Sequence, residues 1–173
     1  RREIITRLYH YLQDNTRYIN VSIDIGGLKP YPASYVAHNK YGDCKALTIY
    51  MKALLKHVQI PSYYTIIHAG ENHPDINLNY PSQPFNHVIL SVPINEDTIW
   101  LDNTANYLPV NYPGTFNQNR YALLVNADQS KIVRTPALSM DDVLESRVYN
   151  FQFDEKGDGS LLLTKMLRGK KFE

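Results

Sequence analysis

A single cysteine in 173 residues excludes an internal disulfide framework and any metal site built from several thiolates. No apolar run approaches the roughly 18 residues that a membrane-spanning helix needs. The longest, such as Ala122 to Val125, are strand-sized. Charge of one sign is also missing: 18 Lys and Arg oppose 17 Asp and Glu, a formal net charge of +1. With no strong overall field to gather phosphate backbones or anionic lipid, a general nucleic-acid binder is disfavoured. No phosphate-cradling glycine pattern is present, because Gly26-Gly27 lacks both GxGxxG and the P-loop lysine. The chain opens Arg1-Arg2-Glu3 without an apolar leader and closes at Gly169-Lys170-Lys171-Phe172-Glu173. Both ends read as cut, so the expected context is a longer protein with flanking domains, and missing targeting signals say nothing of its compartment.

What is present is a globular composition: 43% hydrophobic, 20% charged and 12% aromatic residues, with 14 Tyr. The length suits one ordinary domain, or one domain plus a fragment of a second. Residues 1–19 read as a helix through Ile4, Ile5, Leu8, Tyr9 and Leu12, broken at Asn15-Thr16-Arg17. Tyr18 to Ile25 reads as a short strand, followed by turn chemistry at Gly26-Gly27 and Pro30-Tyr31-Pro32. Ala33 to His38 is expected to form a short helix after Pro32. After Tyr41-Gly42-Asp43-Cys44, a stronger helix presents Ala46, Leu47, Met51, Leu54, Leu55 and Val58 on one broad face and stops before Pro61.

Ser62 to Ile67 is β-branched and aromatic, hence a strand. Residues 68–84, with Pro74, Pro81 and Pro84, form a long loop of the kind that borders functional sites. Phe85–Val92 and Thr98–Asp102 read as a hairpin around a loop at 93–97. Leu108–Phe116 is irregular, and Tyr121–Val125 and Ile132–Val133 are strands. The core domain is expected to span 1–137. Residues 138–173 change grammar, with Val148–Phe153 and Ser160–Leu167 forming a β-hairpin that opens a second, truncated β-domain.

The lone Cys44 sits at the start of the long helix, where unpaired N–H groups and a partial positive charge favour a thiolate over a thiol. Gly42 allows a sharp backbone entry and close approach of a substrate, and Asp43 is a natural N-cap or first-turn residue. The opposing reading is a small buried hydrophobe. A nucleophile needs a base. Of the histidines at 10, 38, 57, 68, 73 and 87, His87 alone opens a strand directly after the long loop. The hairpin register then places it opposite Asn103, or opposite Asp102 if the loop is one residue shorter. Asp102 therefore falls close enough to orient the imidazole. Its competing role is to cap the turn Asp102-Asn103-Thr104. Cys44, His87 and Asp102 together form a coherent triad.

Tyr41-Gly42-Asp43-Cys44-Lys45 before an amphipathic helix, then Phe85-Asn86-His87-Val88, then Trp100-Leu101-Asp102-Asn103-Thr104 resembles the transglutaminase-like superfamily, with its papain-like Cys-His-Asp arrangement. The nearer resemblance is to the transglutaminase-like domain of multidomain bacterial envelope proteins, which lies between a domain of unknown function and a C-terminal β-domain. It covers roughly residues 1–137. The resemblance implies Cys44 as nucleophile, His87 as base and Asp102 as orienter. It also implies an α+β fold with the Cys-bearing helix packed on an antiparallel sheet, and a periplasmic or cell-envelope setting. Ala46-Leu47 stand where many members carry an acidic residue, and Asn103 where many carry proline.

The oxyanion donors are expected to be the Cys44 backbone N–H and one of Tyr18, Gln83 or Asn86. Neither cofactor nor metal is implied: Asp154 to Gly159 departs from a calcium loop at Lys156 and Lys165, and His68, His73 and Asp75 lie on a loop with no HExxH-like helix. The tyrosines, Tyr63-Tyr64 among them, read as strand packing and cleft lining. The resulting expectation is cysteine-dependent acyl transfer on a peptide or protein substrate through a thioester, resolved by water or an amine. A non-catalytic peptide- or glycan-binding module of the same fold is the alternative. In a third case, loop 68–84 covers the cleft, and activity needs a partner or the missing domains.

Overall fold

The computed structural model describes residues 1–20, 29–71, 76–80 and 82–173. It divides into two compact units, Arg1–Pro136 and Ala137–Glu173. The fold of the first is α+β. Its helices are α1 (Arg2–Asn15), α2 (Ala33–Asn39), α3 (Cys44–His57) and the single turn α4 (Gly114–Asn117). Strands β1 (Arg17–Tyr18) and β2 (Tyr41–Gly42) pair in parallel. A five-stranded antiparallel sheet combines β3 (Tyr63–Ile67), β4 (His87–Ile94), β5 (Asp97–Leu101), β6 (Tyr121–Val125) and β7 (Lys131–Arg134) in the order β5-β4-β3-β6-β7.

The main core follows from the apolar stripes of the helices. Ile5, Tyr9 and Leu12 of α1, Val36 of α2, and Ala46, Leu47, Met51 and Leu55 of α3 are buried against Leu90, Val92, Ile99 and Leu101 of β4 and β5. Each such aliphatic side chain contributes about 1.5–3 kcal/mol through its removal from water. A second cluster of Ile67, Ile89, Trp100 and Ala122 lies on the opposite face of the sheet. Strand β4 is thus buried on both faces, which explains its unbroken apolar run Val88-Ile89-Leu90.

Several boundaries differ from the sequence expectation. Helix α1 ends at Asn15 rather than reaching residue 19, because Thr16 turns extended and its hydroxyl donates to the Leu12 carbonyl at 2.7 Å. Val58 lies beyond the end of α3 and is 38% exposed, so it does not belong to the buried face. The hairpin loop is Asn95-Glu96, not residues 93–97, since Pro93 pairs with Thr98 and Ile94 with Asp97. Proline is tolerated there because β3 reaches only as far as Ser91, leaving β4 an edge strand beyond it. Asn95 takes the left-handed φ of 54° that closes the turn. The irregular segment before Phe116 runs into α4, which sequence periodicity was too short to reveal. The strand expected to run to Ile25, the Gly26-Gly27 turn, His73 and Asp75 lie wholly or partly outside the described residues.

The second unit contains β8 (Leu144–Phe153) and β9 (Gly159–Arg168), paired from Leu144↔Arg168 to Phe153↔Gly159. Asp154 closes its turn, its side chain accepting from the Lys156 and Asp158 amides at 2.9 Å each. Residues of one face, Tyr149, Phe151, Phe153, Leu161 and Leu163, are exposed.

Gly42 also has a different purpose from the one expected. Its φ is outside the left-handed region, so backbone freedom is not what requires glycine. A Cβ at this position would meet the Ala46 Cβ at 2.9 Å and Val36 Cγ2 at 3.3 Å. Glycine lets β2 pass against the first turn of α3. Gly42→Ala is therefore expected to destabilise the protein by about 1–3 kcal/mol through overpacking, read as a lowered urea midpoint. An unchanged midpoint would show that the contact relaxes freely.

Candidate active site

Cys44 is the first residue of α3, and its position is fixed from both sides. Asp43 is the N-cap: its Oδ1 accepts the Ala46 amide at 2.9 Å, and its carbonyl accepts the Leu47 amide at 3.0 Å. The other carboxylate oxygen forms an ion pair with Lys45. Upstream, the Ile19 amide donates to the Gly42 carbonyl at 3.0 Å, tying β1 to β2. At the first helical position the Cys44 amide has no carbonyl partner within the helix.

His87 is the first residue of β4 and pairs with Ile67 of β3. The strand entry is clamped by Asn86, whose Oδ1 accepts the Ala69 amide at 2.7 Å while its Nδ2 donates to the Ala69 carbonyl at 3.0 Å. Asp102 follows β5. The observed register pairs Leu90 with Leu101, which brings residue 102 level with Ile89, two residues along the same face from His87. Asp102 is thus diagonal to His87, not opposite it as the shorter of the two expected loops implied. The diagonal is within reach of long side chains, and His87 Nε2 lies 3.0 Å from Asp102 Oδ2. An ionised carboxylate only accepts hydrogen bonds, so Nε2 carries the proton. Cys44 lies close enough to act on the ring, and the two residues line one cavity.

Asp102 uses both carboxylate oxygens. Oδ1 caps the turn, accepting from the Thr104 amide at 3.0 Å and the Thr104 hydroxyl at 2.7 Å. Oδ2 takes His87 and, in addition, Asn117 Nδ2 at 2.8 Å. The Asp102 carbonyl accepts the Tyr9 hydroxyl at 2.6 Å. Asn117 and Tyr9 were missed from sequence. Asn117 sits on α4 without a periodic signal, and Tyr9 reads simply as part of an apolar helix stripe. Thr104 was legible as part of an Asx turn.

Burial alone would pull the His87 ring down and push Asp102 up. The hydrogen bond between them and their opposite charges override it, with help from Cys44 on the histidine and Thr104 on the aspartate. His87 is pushed up to about 10 and Asp102 is held below its ordinary value. The pair is therefore ionised at neutral pH.

The groove beside the pair exists because α3 covers only part of the sheet. It packs over β4 and touches β3, and leaves part of the same face of β3 and β6 open. Tyr64, Ile66, Val88 and Val125 floor a cavity of about 610 Å³ that includes Cys44 and His87. Cys44 is 9% exposed and lies at the wall of this groove, next to polar groups rather than in a sealed apolar interior.

Of the three oxyanion candidates, Gln83 lines the groove. Asn86 lines it too, but its carboxamide is committed to Ala69. Tyr18 is 45% exposed and lines a separate pocket of about 240 Å³ with Gln13, Asn103 and Thr104. Its phenol is raised by burial first and then by the nearby Cys44 and Asp43. Tyr64 on the groove floor is raised by the same groups in the same order. The other described histidines stand apart: His10, His38 and His57 are exposed, and His68 is half-buried. Among the described residues no group of three His, Cys, Asp or Glu could hold a metal ion, and no helix is long and apolar enough to cross a membrane.

No family model matches the sequence, and no curated protein matches it. A crystal structure from Cytophaga hutchinsonii named "a Putative Cysteine Protease" aligns with 94% of this chain at 14% identity and a TM-score of 0.43. The chain spans 44% of that structure's length. A likeness at this level carries no functional argument, and the reading of the site rests on its own geometry.

The pair makes stability depend on pH in a defined direction. Since the folded His87 titrates above its ordinary 6.5, its contribution is complete below about pH 6.5 and fades as pH rises toward 10. Asp102 acts oppositely: its contribution is present above its ordinary value and is lost as pH falls through the depressed one. The unfolding free energy is expected to fall from pH 6.5 to 10, and to fall less steeply in His87→Gln, as measured by urea titration. Parallel profiles for the two proteins would contradict the ion pair.

Proposed function

We propose that this chain carries out cysteine-dependent acyl transfer on a peptide or amide substrate, as a transglutaminase-like domain with a papain-like catalytic arrangement. One observation carries the reading: Cys44 at a helix start shares a groove with an imidazole whose far nitrogen is held by a buried carboxylate at 3.0 Å. A nucleophile, a base and an orienting group are the parts that such chemistry needs.

In the proposed cycle, the Cys44 proton already rests on His87, so that a thiolate faces an imidazolium. The sulfur attacks the substrate carbonyl carbon, and its oxygen becomes an oxyanion that accepts the Cys44 amide. The intermediate collapses with cleavage of the C–N bond, and His87 returns the proton to the departing amine. A thioester remains on Cys44. Water or a primary amine then attacks it, losing a proton to His87, and the acyl group leaves as an acid or a new amide while the thiolate and imidazolium are restored. Asp102 stays ionised throughout and stabilises the imidazolium. Water would make the domain a peptidase or amidase, and an amine a cross-linking enzyme.

The test is a mass spectrum of the intact protein after incubation with peptide mixtures, with and without a primary amine. An acyl adduct on Cys44 is expected, absent in Cys44→Ala. His87→Ala is expected to slow both its formation and alkylation by iodoacetamide at pH 6.5, by about 10²-fold for the acyl step. Alkylation untouched by His87→Ala, with no adduct from any peptide, would leave only a binding module.

A further inference from the structure

The groove beside Cys44 has walls of unequal charge. Lys45 and Lys52 of α3 line it together with His87, and no Asp or Glu does among the described residues. Lys45 is already matched by Asp43. Lys52 has no carboxylate within ion-pair distance among the described residues. It shares the groove-facing side of α3 with Lys45 and Ile49, at helical spacing. The floor opposite is apolar, formed by Ile66, Val88 and Val125 with the Tyr64 ring. A long groove with a reactive sulfur at one end, an apolar floor and an unmatched cation along its wall is complementary to a chain with the reverse arrangement.

Helix geometry sets the spacing. Lys52 lies eight residues beyond Cys44, or about 12 Å along the axis. Its side chain leans back toward the helix start, which shortens that distance. An extended peptide covers about 3.3 Å per residue. Resting on the acyl-transfer reading, we infer that the acyl donor is a peptide bearing a carboxylate roughly two to four residues from the scissile carbonyl. Apolar side chains lie between them, and Lys52 selects the carboxylate. An acidic side chain and a free C-terminus supply the same chemistry, and the test separates them.

Binding in Cys44→Ala isolates selection from chemistry. Fluorescein-labelled hexapeptides with a Leu/Ala background carry Glu or Gln at each position in turn, and each is made with an amidated or a free C-terminus. Glu at one or two adjacent positions of the amidated set is expected to tighten binding about three- to tenfold over Gln, with the gain lost at high salt. A gain confined to the free-acid set would assign the carboxylate to the chain terminus. Adding Lys52→Gln should abolish the preference, and Lys52→Glu should reverse it. Equal binding of Glu and Gln peptides with no gain from a free C-terminus, a preference that survives both Lys52 variants, or no binding by any acidic member overturns the inference. Carboxylate selection without any Cys44 adduct in the active-thiol protein would sink the acyl-transfer reading alone. An adduct formed without selection would sink this one alone.

Discussion

The hydrogen bond between Asp102 and His87 is the interaction on which the site depends, because it joins two chain segments that the sheet alone would not align. Asp102 leaves β5 after the ladder has ended, and His87 begins β4 where that strand has β3 beside it but no partner from β5. Their contact crosses the sheet diagonally. It holds because Asp102 is itself immobilised by Thr104, Asn117 and the Tyr9 hydroxyl. A buried carboxylate with so many donors stays ionised despite the cost of leaving water. The charge so preserved keeps the imidazole protonated and oriented. The geometry of the site and the stability of the fold therefore draw on the same group.

The helix side of the groove solves a different problem. A cysteine at the first position of α3 must be close enough to the sheet to meet His87, yet remain at an open edge. Gly42 sets the closeness, since any side chain there would push β2 off the first turn of α3. The edge comes from incomplete coverage: α3 shields β4 while Tyr64, Ile66 and Val125 line the open groove.

Long, periodic elements were legible in the sequence. The α3 stripe, the β-branched run at Tyr63–Ile67 and the apolar run of β4 each announce their state over five or more residues. The lone cysteine, the strand-opening histidine and the Asx turn at Asp102 were legible as candidates because each combines a chemical group with a local backbone signal. Other features carried no such signal. The hairpin turn was misplaced because Pro93 and Ile94 were assigned to the loop, whereas a proline is tolerated in a strand at the edge of a sheet. Asn117 and Tyr9 reach Asp102 from distant parts of the chain, one on a single-turn helix and one hidden in an apolar stripe. Gly42 was read for its backbone freedom when its missing side chain is what matters. Tertiary contacts decide all four, and local patterns do not encode them.

The most direct measurement of the central claim is a nitrogen-resolved NMR titration of the His87 ring from pH 5 to 11. The account predicts that both ring nitrogens stay protonated through neutral pH, with the transition near 10, and that Asp102→Asn moves this transition down. A ring that titrates near the ordinary 6.5, with or without the Asp102 carboxylate, would contradict it.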